Sequence, residues 1–173
     1  ELYYQAFHSG GEASIWSLGL DNNRSRLLVP GTLGQLPYDF AVSPQTNRAG
    51  FAWLDRESAQ TMYQVRLLDL ETGRVITATQ STRFQFMGLH WSAAGGELLF
   101  TAVDQQTDAK KILVVPDGTD PMVREFPAFR DRYVLDVAAN GQMLNAEETA
   151  DRWTIYLDEE ETRSLSTHGI YLG

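Results

Sequence analysis

Three histidines, His8, His90 and His168, stand in a chain of 173 residues that has no cysteine. Without thiols there is no disulfide, no Cys-ligated zinc or iron–sulfur cluster, and no thiol nucleophile. An imidazole zinc site wants three or four ligands at a recognisable spacing, and neither His-x-x-x-His nor His-Glu-x-x-His occurs. No Gly-x-Ser-x-Gly elbow is present, and no serine has a convincing base. Carboxylates cluster at Glu147-Glu148 and from Asp158 to Glu161. A glycosidase pair must face across a substrate, and an acidic hairpin tip reads first as a solvated face. No Asp-x-Asp-x-Asp-Gly loop marks a calcium site. Asn23-Arg24-Ser25 is a glycosylation sequon in form only. The expectation is a chain that is not an enzyme and holds no metal or cofactor.

Residues suited to binding are easier to find. Three segments, read as loops gathered at one mouth of a central channel, combine an aromatic with a polar or charged group: Leu36-Pro37-Tyr38-Asp39, Thr82-Arg83-Phe84-Gln85-Phe86 and Arg130-Asp131-Arg132-Tyr133. Exposed Tyr, Phe and Arg are the types that anchor protein interfaces. Either Tyr38, Asp39, Arg83, Phe84, Phe86, Arg130, Arg132 and Tyr133 hold a protein or peptide, or their aromatics tuck beneath the scaffold. His90 and Asp136 are candidates for facing each other across a channel, with an ordinary hydrogen-bonded histidine as the simpler expectation. The four tryptophans, Trp16, Trp53, Trp91 and Trp153, are spread along the chain at unlike positions, which predicts core rather than a stacked sugar site.

These groups must be positioned by a scaffold, and the scaffold repeats. Ile15-Trp16-Ser17-Leu18, Val65-Arg66-Leu67-Leu68, Ile112-Leu113-Val114-Val115 and Ile155-Tyr156-Leu157-Asp158 are alike, and their first residues succeed one another at 50, 47 and 43 residues. That period fits one four-stranded propeller blade. Strand-like runs precede each: Leu2 to Phe7, Gly50 to Leu54, Glu97 to Thr101 and Gln142 to Ala146. Before the last three come Phe40 to Pro44, Leu89 to Ala93 and Leu135 to Ala139, read as inner strands, each followed by a turn. Gly95-Gly96 and Asn140-Gly141 supply the positive φ that tight hairpins need. No window carries a capped helical period; Ala146 to Trp153 has helical propensity, which the repeat overrides. The prediction is a single all-β, β-propeller-type domain of about four blades, with repeats near 1–35, 36–82, 83–129 and 130–173. It is either a closed four-bladed ring or a piece of a larger propeller. In a closed ring Gly169-Ile170-Tyr171-Leu172 would supply the inner strand that the first repeat lacks.

Two stretches, Phe40 to Leu70 with its Ser43-Pro44 turn and its Leu68-Asp69-Leu70-Glu71-Thr72-Gly73 ending, and Trp91 to Phe100, resemble the repeat of TolB-type propellers. In that repeat a Ser-Pro-Asp-Gly-Lys-like turn leads into a strand, and an Ile-Tyr or Ile-Trp strand ends in Asp and Gly. The first and last repeats keep Ile15-Trp16 and Ile155-Tyr156, while Gln45-Thr46 and Ala93-Ala94 depart from the turn. The resemblance implies a bacterial envelope or periplasmic setting and protein–protein contacts. Similar repeats form the extracytoplasmic sensor part of some membrane-anchored winged-helix regulators, and the non-catalytic domain of prolyl-oligopeptidase-type serine peptidases.

A net charge of −9 and a pI near 4.7, with the 14 basic residues dispersed, argue against nucleic acid and against an anionic membrane surface. No stretch approaches the roughly 18 uncharged apolar residues of a membrane span. The chain opens at Glu1 without a signal-peptide pattern, so the expectation is a processed protein or an excised fragment. The expected partner is a protein or peptide, with association through open sheet edges as a second mode.

Overall fold

A computed structural model describes residues 1–116, 122–126, 129–138, 140, 142–150 and 152–166. Among them fifteen strands form four antiparallel sheets, taken up in chain order. The first sheet is β1 (Leu2–Phe7), β2 (Ala13–Gly19) and β3 (Arg24–Val29). The second is β4 (Gln35–Val42), β5 (Arg48–Asp55), β6 (Met62–Asp69) and β7 (Val75–Ser81). The third is β8 (Phe84–Trp91), β9 (Glu97–Asp104), β10 (Lys110–Pro116) and β11 (Arg124–Phe126). The fourth is β12 (Arg132–Val137), β13 (Met143–Glu148), β14 (Arg152–Leu157) and β15 (Glu160–Ser166). Ile15, Val65, Ile112 and Ile155 fall on β2, β6, β10 and β14, the corresponding strand of each sheet.

Turn chemistry explains why each hairpin closes where it does. The Ser43 hydroxyl accepts from the Thr46 amide at 3.1 Å while the Ser43 amide donates to the Arg48 carbonyl at 2.9 Å. Ser92 repeats the device between β8 and β9, donating to the Glu97 carbonyl and accepting from its amide. Aspartates close the opposite ends. The Asp55, Asp69 and Asp104 carboxylates accept backbone N–H groups two or three residues on. Left-handed backbone falls on Asn23, Asp108, Asp158 and Gly73, types that tolerate it.

The sheets stack on one another in sequence, and the period-2 alternation of a strand assigns the faces. On β5, Ala49, Phe51 and Trp53 pack with Ile15 and Val29 of the first sheet. Ala52, between them, packs toward Phe86, Trp91, Leu98 and Phe100 of the third. On β9, Leu98, Phe100 and Ala102 look back at the second sheet, whereas Leu99 joins Phe129, Val134, Val137 and Met143 against the fourth. Strands covered on both faces become continuous apolar runs, and β5 and β9 are accordingly buried along nearly their whole lengths. Gly50 lets the second sheet approach the third closely: a Cβ there would lie 2.3 Å from Leu98 Cδ2. Among the described residues no strand of the first sheet packs extensively on a strand of the fourth. The strand that Gly169 to Leu172 was expected to add lies outside the described residues. The helical alternative at Ala146 to Trp153 is absent: β13 runs to Glu148 and β14 begins at Arg152.

Candidate functional site

The candidate binding residues sit at the starts of β4, β8 and β12, earlier in the strands than the sequence predicts. Residues 36–39, 84–86 and 132–133 are strand, not loop. Each leading strand carries a bulge. The register slips between Pro37 and Asp39, between Met87 and His90, and between Val134 and Asp136. A bulge breaks the in–out alternation, so the residues ahead of it look like loop in sequence.

Tyr38 and Asp39 link the second sheet to the third. The Tyr38 hydroxyl donates to the Phe86 carbonyl at 2.5 Å and accepts from the Phe86 amide at 3.2 Å. Burial pushes its phenol far above the usual tyrosine range. The Asp39 carboxylate accepts from the Gly88 amide at 2.7 Å and the Leu89 amide at 3.3 Å, pinning the β8 bulge. Burial raises its pKa, against the pull of those amides and of His90. Phe86 is 2% exposed, edge-on to Phe100 at 5.6 Å, and has no surface to offer.

His90 is half-buried on β8, and burial lowers its pKa although Asp136 and Asp39 favour its charged form. The Asp136 carboxylate itself accepts from the Val137 amide at 2.8 Å.

Arg83, Arg132 and Tyr133 are tied into the fold. Arg83 clamps the buried Asp104, its Nε at 2.8 Å from Oδ2, and lies 5.6 Å from the centre of the Phe84 ring. That ion pair raises the Arg83 pKa and holds the Asp104 carboxyl well below the usual carboxylate range. Arg132 donates to Asn145 Oδ1 at 3.1 Å and to the Asp158 carbonyl at 3.3 Å, and stacks 3.7 Å over Tyr156. Tyr133 packs on Trp153 at 5.5 Å and receives Lys110 over its face at 5.0 Å. Of the tryptophans, Trp53 and Trp91 are core; Trp16 and Trp153 are partly exposed.

Arg130 differs. It is exposed, pairs with nothing among the described residues, and borders a cleft of about 360 Å³ between the third and fourth sheets. Lys110, Lys111, Glu125 and Asp131 complete the walls. Lys110 pairs with Asp108 and Lys111 with Glu125, at 3.1 and 3.2 Å, and Lys111 also lies 5.5 Å from the Phe84 ring. Sequence reasoning passed over both lysines. Their signal was nonetheless there, as Lys110-Lys111 is the one adjacent basic pair in the chain. Asp131 accepts the Lys110 amide at 3.1 Å, so among the described residues Arg130 is the one cation of this mouth without a partner.

No family description and no curated protein matches this chain. Solved structures do match it. A chain of the nidogen/laminin complex superposes with a TM-score of 0.61 at 13% identity, over 96% of this chain and 62% of that one. An acylaminoacyl peptidase from Pyrococcus horikoshii gives 0.60 at 12%, over 96% and 30%. The Dos1 propeller gives 0.51 at 8%, over 93% and 44%. The fold is that of a β-propeller. This chain spans less than two thirds of each of those chains, at most 62%. Within the propeller β4, β8 and β12 are the inner strands, and the first sheet has no counterpart to them among the described residues.

Proposed function

We propose that this propeller is a non-catalytic protein-binding module whose contact surface is the mouth between the third and fourth sheets. One observation carries the reading: Arg130 is an exposed cation with no partner among the described residues, held at the edge of a cleft whose two lysines are already paired. An exposed guanidinium without an ion-pair partner is suited to a carboxylate of a peptide, which it grips bidentately. The likeness of the repeats to TolB-type propellers supports a bacterial extracytoplasmic setting, with the sensor part of a membrane-anchored winged-helix regulator as the specific role.

The test is selection of peptides from a displayed library against the 173-residue chain, followed by calorimetric titration. Arg130→Ala should weaken the selected peptides about tenfold, equivalent to ~1.4 kcal/mol, with the melting temperature unchanged. Undiminished affinity would place the contact elsewhere.

A second reading is supported by the superposition on the acylaminoacyl peptidase, of which the chain covers 30%. In it this propeller gates substrate for a serine hydrolase domain carried by the same polypeptide. A fluorophosphonate probe on the full-length product separates the two: labelling supports the gate, and its absence together with peptide binding supports the module.

A further inference from the structure

At the opposite end of the strands the third and fourth sheets part again. Ser92 follows β8, Val137 closes β12, Met143 opens β13 and Asp158 follows β14, positions that share one end of antiparallel sheets. Between them lies a cavity of about 200 Å³ floored by Leu99, Phe129, Val137 and Met143, with Phe126 on its wall at 38% exposure. It shares Phe129 and Asp158 with a second open cleft of about 490 Å³ walled by Leu157, Glu159 and Glu160, so the two form one groove.

The rim is acidic. Glu97 is taken up by Arg124 at 2.8 Å, and the Asp158 carboxylate accepts the Met143 amide at 2.8 Å. Glu159 and Glu160 are exposed and have no partner among the described residues. Four carboxylates, Glu97, Asp158, Glu159 and Glu160, line this groove, and among the described residues no Lys or Arg does.

We propose that the groove docks a peptide segment of a partner protein carrying a large apolar side chain flanked by Lys or Arg. The apolar side chain fills the pocket over Met143 and Val137 and supplies the affinity. The flanking cations meet Glu159 and Glu160, which select the sign of the partner and speed its approach. The ligand sign is opposite to that expected at the Arg130 mouth, so the two sites fail or hold independently.

The test is fluorescence anisotropy on the 173-residue chain with a fluorescein-labelled Lys-Arg-Leu-Phe-Arg-Lys peptide. Controls replace its basic residues by Glu or its Leu-Phe by Ser-Ser. The basic apolar peptide should bind, both controls should bind at least about tenfold more weakly, and added salt should weaken it. Glu159→Lys with Glu160→Lys, and separately Phe126→Ala, should each cost about tenfold, and Arg130→Ala nothing. Glu159→Gln gives a smaller loss in the same direction if the double reversal unfolds the chain. Absent binding, equal binding of either control, or retained affinity in the charge-reversed variant would overturn the proposal. So would self-association that the charge reversal abolishes, because the occupant would then be a second copy.

Discussion

Tyr38 and Asp39 read in sequence as interface residues and serve in the structure as the polar fasteners of two stacked sheets. Composition could not decide between these roles, because an aromatic–acid pair suits both and only the partner groups, here backbone of β8, tell them apart. Tyr38→Phe removes the one hydroxyl that serves both Phe86 polar groups. The loss should cost about 1–3 kcal/mol in urea denaturation, with the denaturant slope unchanged. Arg83 and Asp104 make a pH-dependent fastener. The folded chain holds the Asp104 carboxyl below its unfolded range through the Arg83 hydrogen bond and ion pair. The pair therefore contributes stability above the unfolded pKa of about 4, and loses it as pH falls through that value toward the folded one. Asp39 runs the other way, since burial raises its pKa, and so partly masks the slope. Melting temperature should drop less steeply between about pH 5 and pH 3 in Asp104→Asn than in the parent chain. An identical slope would assign the acid sensitivity to other carboxylates.

Strands and their order were the most legible feature, because each hairpin announces itself through short-range chemistry. Ser43 and Ser92 close the first turn of their sheets, aspartates close the next, and β5 and β9 are mostly apolar between their ends because both faces are covered. The starts of the inner strands were not legible. Bulges at residues 38, 88–89 and 135 break the alternation there, and a bulge is fixed by cross-strand partners rather than by its own residues. Gly88 marks the second of these. Its φ is +63°, and a Cβ would lie 3.0 Å from the Val134 carbonyl. Gly88→Ala should destabilise the chain by about 1–2 kcal/mol from the left-handed backbone alone. A neutral effect would mean that the bulge is free to relax, and that Asp39 does not pin it.

Across the described residues, successive sheets of the propeller pack on one another with a core at each junction. Strand β1 keeps only partial burial where its counterparts β5 and β9 are enclosed. The candidate mouth was half legible. Its aromatics and arginines were found from residue type, but type did not show that Arg83, Arg132 and Tyr133 are already engaged and that Arg130 is not. That distinction depends on Asp104, Asn145 and Trp153, which approach from 13 to 21 residues away along the chain or across the sheet. The most direct check on the account is hydrogen exchange of the chain with and without an acidic peptide selected to bind it. Slowed exchange at residues 109–111, 124–126 and 129–133, and little elsewhere, is the expected result. Protection along the β1 edge or at the far ends of the strands, with the mouth unchanged, would contradict it.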